Sequence, residues 1–226
     1  FSDMKGKPGD ANWGTVLPAE RLGEAIGKLG IKPGTEVLVY AAPPSGWGED
    51  GRVAWTLMMA GVEPVAIVEG GIEAWKAAGG AVSTAAPAIT PASFPVTATD
   101  LSMNVAKNDV KDLMGKAVII DSRTPQEYEG AQKFGERRGG HLPGAISIPW
   151  TNVFDKDGKL SSPDALKKML EAAGIGQDDE IISYCTKGIR SAHMTLVLRD
   201  LGYAKARNYD ASFHEWAGDA SLPLEK

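Results

Sequence analysis

Only one cysteine, Cys185, occurs in 226 residues. An internal disulfide and any multi-cysteine zinc site are thereby excluded. Histidine is nearly as scarce, and His141, His193 and His214 have no metal-ligand spacing. No apolar run approaches the roughly 18 residues that a membrane-spanning helix needs. Positive charge is not in excess, since the net charge is −5, and bulk electrostatics speak against a nucleic-acid partner. The N-terminus has no basic stretch followed by an apolar one, so no secretory leader is legible. The first residue is Phe1 and not methionine, and an upstream segment is expected to have been removed or left out. The compartment stays open, because a single cysteine suits cytoplasm and bacterial periplasm alike. What is present is an ordinary globular composition, 43% hydrophobic and 23% charged. The length allows one large domain or two modest ones.

The chain repeats itself. Leu29-Gly30-Ile31 and Val37 to Tyr40 return as Ala173-Gly174-Ile175 and Ile181 to Tyr184 at the same spacing. Further on, Leu57 to Gly61 pairs with Leu198 to Gly202, and Trp75 with Trp216. The first copy carries three extra residues between Tyr40 and Leu57. They fall in Pro43-Pro44-Ser45-Gly46-Trp47-Gly48, a loop by composition. In the second copy the loop after the Tyr-ended strand carries Cys185; in the first, Ala41 stands opposite it.

Each copy reads as an α/β unit. Glu36 to Tyr40 is a short apolar run with the signature of a buried strand. A helix follows over Gly51 to Ala60 with Gly61 as its C-terminal stop. Then come a strand over Pro64 to Val68 and a helix over Gly71 to Ala78. The second copy repeats the order: strand Glu180 to Tyr184, helix Ser191 to Leu201, strand Ala206 to Tyr209, helix Ala211 to Ala217. Ahead of it lie a strand over Ala117 to Asp121 and a helix from Pro163 to Ala173, capped by Ser162. Strands alternating with helices predict parallel sheets covered on both faces. The Ala/Pro/Thr/Ser-rich stretch at 86–99 is expected to link a first domain at residues 1–85 to a second at 100–226. The first copy lacks counterparts of Ala117 to Asp121 and of His141 to Gly144, which by spacing would precede Phe1. The first domain is therefore expected to be N-terminally truncated, its missing part lost or carried on a companion fragment.

Cys185 sits at the carboxyl end of a parallel strand and just before a helix, the edge where open α/β sheets bind ligands. Backbone N–H groups in such a turn form an anion-binding concavity. Gly188 permits the tight backbone this needs, and Lys187 and Arg190 add positive charge. Helix starts and neighbouring cations lower a cysteine pKa from about 8.5 to roughly 3.5–7.5. A thiolate nucleophile is the expected outcome. Cys185 and Arg190 enclose four residues, one fewer than the Cys-x5-Arg ring that surrounds phosphate in cysteine phosphatases. The tighter ring suits a single sulfur atom carried on the cysteine.

Three motifs of the second half resemble the rhodaneses, the thiosulfate and 3-mercaptopyruvate sulfurtransferase family, in their tandem-domain form. They are Asp121-Ser122-Arg123 with Glu127-Tyr128 and Gly130, then Gly140 to Pro149, then the loop from Cys185 to Arg190. The first half resembles the family's non-catalytic domain through Gly51 to Trp55 and Glu69 to Trp75. The resemblance implies two rhodanese-like domains, each a parallel sheet flanked by helices, with the second catalytic. It implies that thiosulfate gives its outer sulfur to Cys185 in a ping-pong reaction and that cyanide or a thiol collects it. The donor is then a small anionic sulfur compound, and no cofactor or metal is called for. In that scheme Lys187, Arg190, Thr186, Gly188 and Ile189 hold the substrate and the persulfide. Arg123 steers the anion or serves as an ion-pair partner, and Asp121 orients an arginine near the loop. The charged Thr-Lys-Gly sequence after Cys185 favours thiosulfate over mercaptopyruvate. Glu127 stands where thiosulfate enzymes of the animal type carry arginine, which leaves Arg190 or Arg123 to meet the sulfonate. A persulfide relay to a protein thiol uses the same half-reaction, and a phosphatase or arsenate reductase is the less favoured alternative.

Among the remaining residues, His141 and His193 read as structural. Arg52 and Trp47 either line the cleft between the halves or only pack their interface, and packing is the favoured reading. Asp155 to Gly158 reads as an ordinary turn, and Lys133 to Arg138 as a solvated loop.

Overall fold

The computed structural model describes residues 4–6 and 13–226; Phe1 lies outside the described residues. Helix α1 (Ala19–Lys28) places Leu22 and Ile26 on one buried face, with Glu20 in its first turn and Lys28 in its last, each charge favourable at its end of the helix dipole. Strand β1 (Val37–Val39), helix α2 (Glu49–Met59), strand β2 (Val65–Ile67) and helix α3 (Gly71–Ala77) follow. Strands β1 and β2 pair in parallel as a two-stranded sheet. Its inner face packs Val37, Val39 and Val65 against Leu22, Ile26 and Leu57 of α1 and α2.

The second half contains β3 (Asn104–Val105), α4 (Lys107–Leu113), β4 (Val118–Asp121), α5 (Pro125–Tyr128) and β5 (Ile146–Ser147). It continues with α6 (Pro163–Ala172), β6 (Ile181–Tyr184), α7 (Ile189–Asp200), β7 (Ala206–Tyr209) and α8 (Ser212–Gly218). Its five strands form a parallel sheet in the order β3-β7-β6-β4-β5. Alternation along the strands splits the core in two. Ile120 and Ile181 face Leu166 and Leu170 of α6 and Met194 and Leu198 of α7. Ile119, Ile182 and Tyr184 face Val110 of α4 and Phe213 and Trp216 of α8. The molecule is thus an α/β fold of parallel sheets flanked by helices. Ser162 caps α6, its hydroxyl accepting from Ala165 N–H at 3.3 Å.

Three expectations change. The strand expected to be buried over Glu36 to Tyr40 is shorter, and Leu38 and Tyr40 are 56% and 60% exposed. Helices α1 and α2 cover the inner face of β1, and Leu38 points the other way. The stretch at 86–99 does not run free. Its backbone lies along α1, with Ala92 N–H donating to Gly27 O at 2.9 Å and Phe94 buried in the first core. Glycine permits that approach, since a Cβ at Gly27 would come within 2.3 Å of Ala92 O. Lys133 to Arg138 is also not merely solvated. Glu136 is buried, and Arg138 donates to the carbonyls of Trp216, Ala217, Asp219 and Leu222 at 2.6–3.1 Å.

The two halves meet where α2 packs along α7. Gly51 makes the approach possible, because a Cβ there would lie 2.5 Å from His193 Cα. Trp55, fully buried, donates its indole N–H to Met103 O at 3.1 Å, and Asp50 meets His193 at 3.3 Å. Asp155 caps an ordinary turn by accepting from Asp157 and Lys159 N–H.

Candidate active site

Strand β6 ends at Tyr184, and the chain turns through Cys185, Thr186, Lys187 and Gly188 into α7. The helix begins at Ile189, two residues before the expected start, so Arg190 and Ser191 belong to its first turn. Gly188 caps it at φ 72°. A Cβ there would lie 2.2 Å from Asp210 O and 2.7 Å from Arg52 Nη1. No other residue type fits that conformation and that space together.

The turn is held from three sides. From α8, Phe213 N–H and His214 N–H donate to Cys185 O and Thr186 O, both at 3.0 Å. Ser212, in the left-handed region at φ 57°, accepts from Cys185 N–H at 3.1 Å and donates to Tyr209 O at 2.7 Å. From the first half, fully buried Arg52 donates to Gly188 O at 2.8 Å and to Gly14 O at 3.0 Å, and pairs with Asp210. From below, the Tyr184 hydroxyl donates to Asp121 Oδ2 at 2.5 Å. Asp121 also takes a forked ion pair from Arg123, at 2.6–3.1 Å. Burial and the Asp121 carboxylate push the Tyr184 phenol far up, so it stays a donor.

Cys185 is 2% exposed. Burial alone raises its pKa. The Arg190 guanidinium, the N–H and hydroxyl of Ser191 and the Lys187 N–H more than offset that, and the thiol lies below its ordinary value. The Ser191 hydroxyl is buried with no hydrogen-bond partner among the described residues, and its influence on the sulfur is to lower the pKa. These donors favour thiolate, the form that attacks.

Arg190 is itself gripped. Its Nη1 and Nη2 donate to Glu127 Oε2 and Oε1, both at 2.8 Å, and Nη2 also donates to Thr186 Oγ1 at 2.7 Å. The Thr186 hydroxyl donates to Glu127 Oε1 at 2.9 Å. Burial pushes the Glu127 carboxyl up, but Arg190 and the Thr124 N–H and hydroxyl win and bring it to about 2. Lys187 Nζ stands 3.2 Å over the Trp13 ring; burial and the charge of Lys5 lower its pKa, against the pull of Glu136.

A cavity of about 210 Å³ opens at the sulfur, lined by Trp47, Phe134, Cys185, Thr186, Lys187, Ile189 and Arg190. The structure therefore brings Cys185, Thr186, Lys187, Ile189 and Arg190 together at one mouth. It does not bring Gly188 or Arg123 there. Gly188 shapes the turn instead of contacting substrate. Arg123, fully buried, spends its fork on Asp121 and Gly140 O and lies 3.8 Å over the Phe213 ring. The expectation that Arg123 contacts substrate is corrected accordingly. His141 stacks on Tyr128 at 3.6 Å, also outside the cavity. Sequence reasoning missed Ser191, Ser212 and Phe134, and favoured packing over cleft lining for Arg52 and Trp47. The hydroxyl at the third position of the helix after a cysteine was the available signal for Ser191. Nothing local marked the others.

Fold and site together define an α/β protein organised around a single buried cysteine at a strand-to-helix turn. The rhodanese-like domain family matches residues 106–219. Over 223 residues the chain is 31% identical to the sulfur carrier protein TtuD of Thermus thermophilus, covering 93% of this chain and 78% of that protein. It is 33% identical over 217 residues to a thiosulfate sulfurtransferase of Azotobacter vinelandii, covering 94% and 78%. The chain belongs to the rhodanese family. Its fold is also that of the anaerobic ergothioneine biosynthesis enzyme from Chlorobium limicola, solved with trimethyl histidine, at a TM-score of 0.87 and 22% identity. That likeness covers 94% of this chain but spans only 56% of that enzyme's length.

Proposed function

We propose that the chain is a sulfurtransferase that takes a sulfane sulfur from a small anionic donor onto Cys185 and hands it to a thiophilic acceptor. Thiosulfate, the donor in the names of several relatives, is the reference substrate. The Cys185 thiolate attacks the outer sulfur; the new S–S bond forms as the old one breaks, and sulfite departs with the bonding pair. The persulfide anion then lies among the Ser191 and Lys187 donors that held the thiolate, an arrangement of the oxyanion-hole kind. A thiol or cyanide attacks the terminal sulfur and restores the thiolate, which makes the cycle ping-pong. This scheme uses no general base, because the groups around the sulfur lower its pKa and favour the ionised form.

The observation that carries this reading is the set of donors converging on a single, nearly buried sulfur. Protein loaded with thiosulfate in the absence of reductant gains the mass of one sulfur atom, loses it to cyanide as thiocyanate, and does neither as Cys185→Ser. A wild-type mass that does not change on loading overturns the proposal.

A persulfide relay to a protein thiol is the second reading, favoured by the sulfur-carrier relative. It requires a protein acceptor to react far faster than cyanide.

The two halves are further proposed to be copies of one domain, at residues 1–85 and 100–226 with 86–99 between them. The β1-α2-β2 unit repeats the parallel β6-α7-β7 unit.

A further inference from the structure

Two aromatic rings stand at the mouth of the Cys185 cavity, and Arg190, its buried cation, is already paired with Glu127. Trp47, from the loop lengthened in the first half, and Phe134, from the second, meet edge to face with centroids 5.3 Å apart at 90°. They remain 47% and 37% exposed, so their free surfaces are open to a ligand. Both rings also lie close to Arg190, whose Cζ is 5.3 Å from the Trp47 centroid and 6.0 Å from that of Phe134. Beneath them, both terminal nitrogens of Arg190 are held by Glu127. Lys187 rests on Trp13 with Glu136 acting on it. Among the described residues Lys187 is the one lining cation that no carboxylate pairs, so one negative charge is matched here, while the second charge of a doubly charged donor would surrender hydration without a partner, which is costly. An apolar body would gain the aromatic contact.

We infer that this site is built for a singly charged organic sulfane-sulfur donor, its apolar or aromatic body seated against Trp47 and Phe134, in preference to inorganic thiosulfate. The inference rests on the sulfur-transfer reading of Cys185. For an organic thiosulfonate, R–SO2–S⁻, the thiolate pair of Cys185 forms the bond to the outer sulfur. The S–SO2 bond breaks with its pair, and R–SO2⁻ leaves. One negative charge enters on each reactant and one leaves on each product. No oxidant or proton is consumed. The carboxylate of Glu127 sets the preference by cancelling Arg190, and the aromatic pair sets it by packing.

The test measures kcat/KM for thiosulfate, methanethiosulfonate and benzenethiosulfonate with cyanide as the common acceptor. The aryl donor is expected to exceed thiosulfate by about tenfold or more, the range that apolar contacts supply. Trp47→Ala should lower the aryl-to-methyl ratio by about tenfold, and Phe134→Ala should do the same independently if the first variant folds poorly. Glu127→Gln should raise thiosulfate relative to both monoanions. Wild-type turnover of thiosulfate as fast as the aryl donor, or an aryl-to-methyl ratio unmoved in both aromatic variants, overturns the inference. If no donor adds sulfur to Cys185 by mass, the sulfur-transfer reading itself falls, whereas loading by every donor without aryl preference removes only the specificity.

Discussion

At Cys185 two opposing effects act on one sulfur. Burial favours the neutral thiol, while Arg190, Ser191 and the Lys187 N–H favour the anion, and their net effect lowers the pKa. Alkylation by iodoacetamide should therefore titrate with a midpoint below the roughly 8.5 of an ordinary cysteine. Ser191→Ala, which removes one donor to the sulfur, should move that midpoint up. An ordinary midpoint in the wild type removes the basis for the nucleophile. Glu127 gives a second pH dependence. Its folded pKa is depressed from 4.5 to about 2, so between those values the unfolded chain binds more protons and stability rises with pH. The contribution is present above about pH 4.5 and is lost as pH falls toward 2. Acid unfolding of Glu127→Gln should show a weaker dependence on pH across that window, as read by circular dichroism. The partnership behind it was not legible in the sequence, because Glu127 and Arg190 lie 63 residues apart. Glutamate at that position reads locally as the third residue of a capping box with Thr124, which it also is.

Helix α7 shows what element boundaries do for chemistry. Begun at Ser191, as the pattern of apolar residues suggests, it would leave Arg190 in the loop. Begun at Ile189, directly after the left-handed Gly188, it turns its first N–H groups and Arg190 toward the sulfur. Gly188→Ala forces both a positive φ and a contact with Asp210 O. The expected cost is about 1–3 kcal/mol of stability, with a larger proportional loss of turnover as the sulfur shifts from its donors; urea unfolding and sulfur-transfer rate measured together check both. The strands β6 and β7 were legible to within a residue, since a run such as Ile181-Ile182 between Glu180 and Cys185 can only be a strand buried on both faces. Strand β1 carries the same kind of run but lies at the open face of a two-stranded sheet, which no local pattern distinguishes. Leu38→Thr should accordingly change stability by no more than about 0.5 kcal/mol, whereas the same change at Ile182, fully buried, should cost several times that in the same denaturation assay.

Across the molecule, the half without the cysteine supports the half that has it. Arg52 reaches from α2 to the Gly188 carbonyl and to Asp210, and Trp47 crosses to meet Phe134. Arg52→Met strips a buried carboxylate of its cation and the turn of a donor. Removing one member of such a pair costs about 3–5 kcal/mol, and a drop of that size in denaturant unfolding, with slower sulfur loading, is the expected outcome. The parallel α/β architecture, the strand-to-helix turn that carries Cys185 and the family resemblance were all readable along the chain, because each rests on spacing or composition within a few tens of residues. Which charges pair, which side chains reach the cavity and which face of β1 stays bare were not readable. Those depend on groups brought together from distant parts of the chain, where a few ångströms decide whether an arginine meets substrate, as was expected of Arg123, or is consumed by a neighbouring carboxylate.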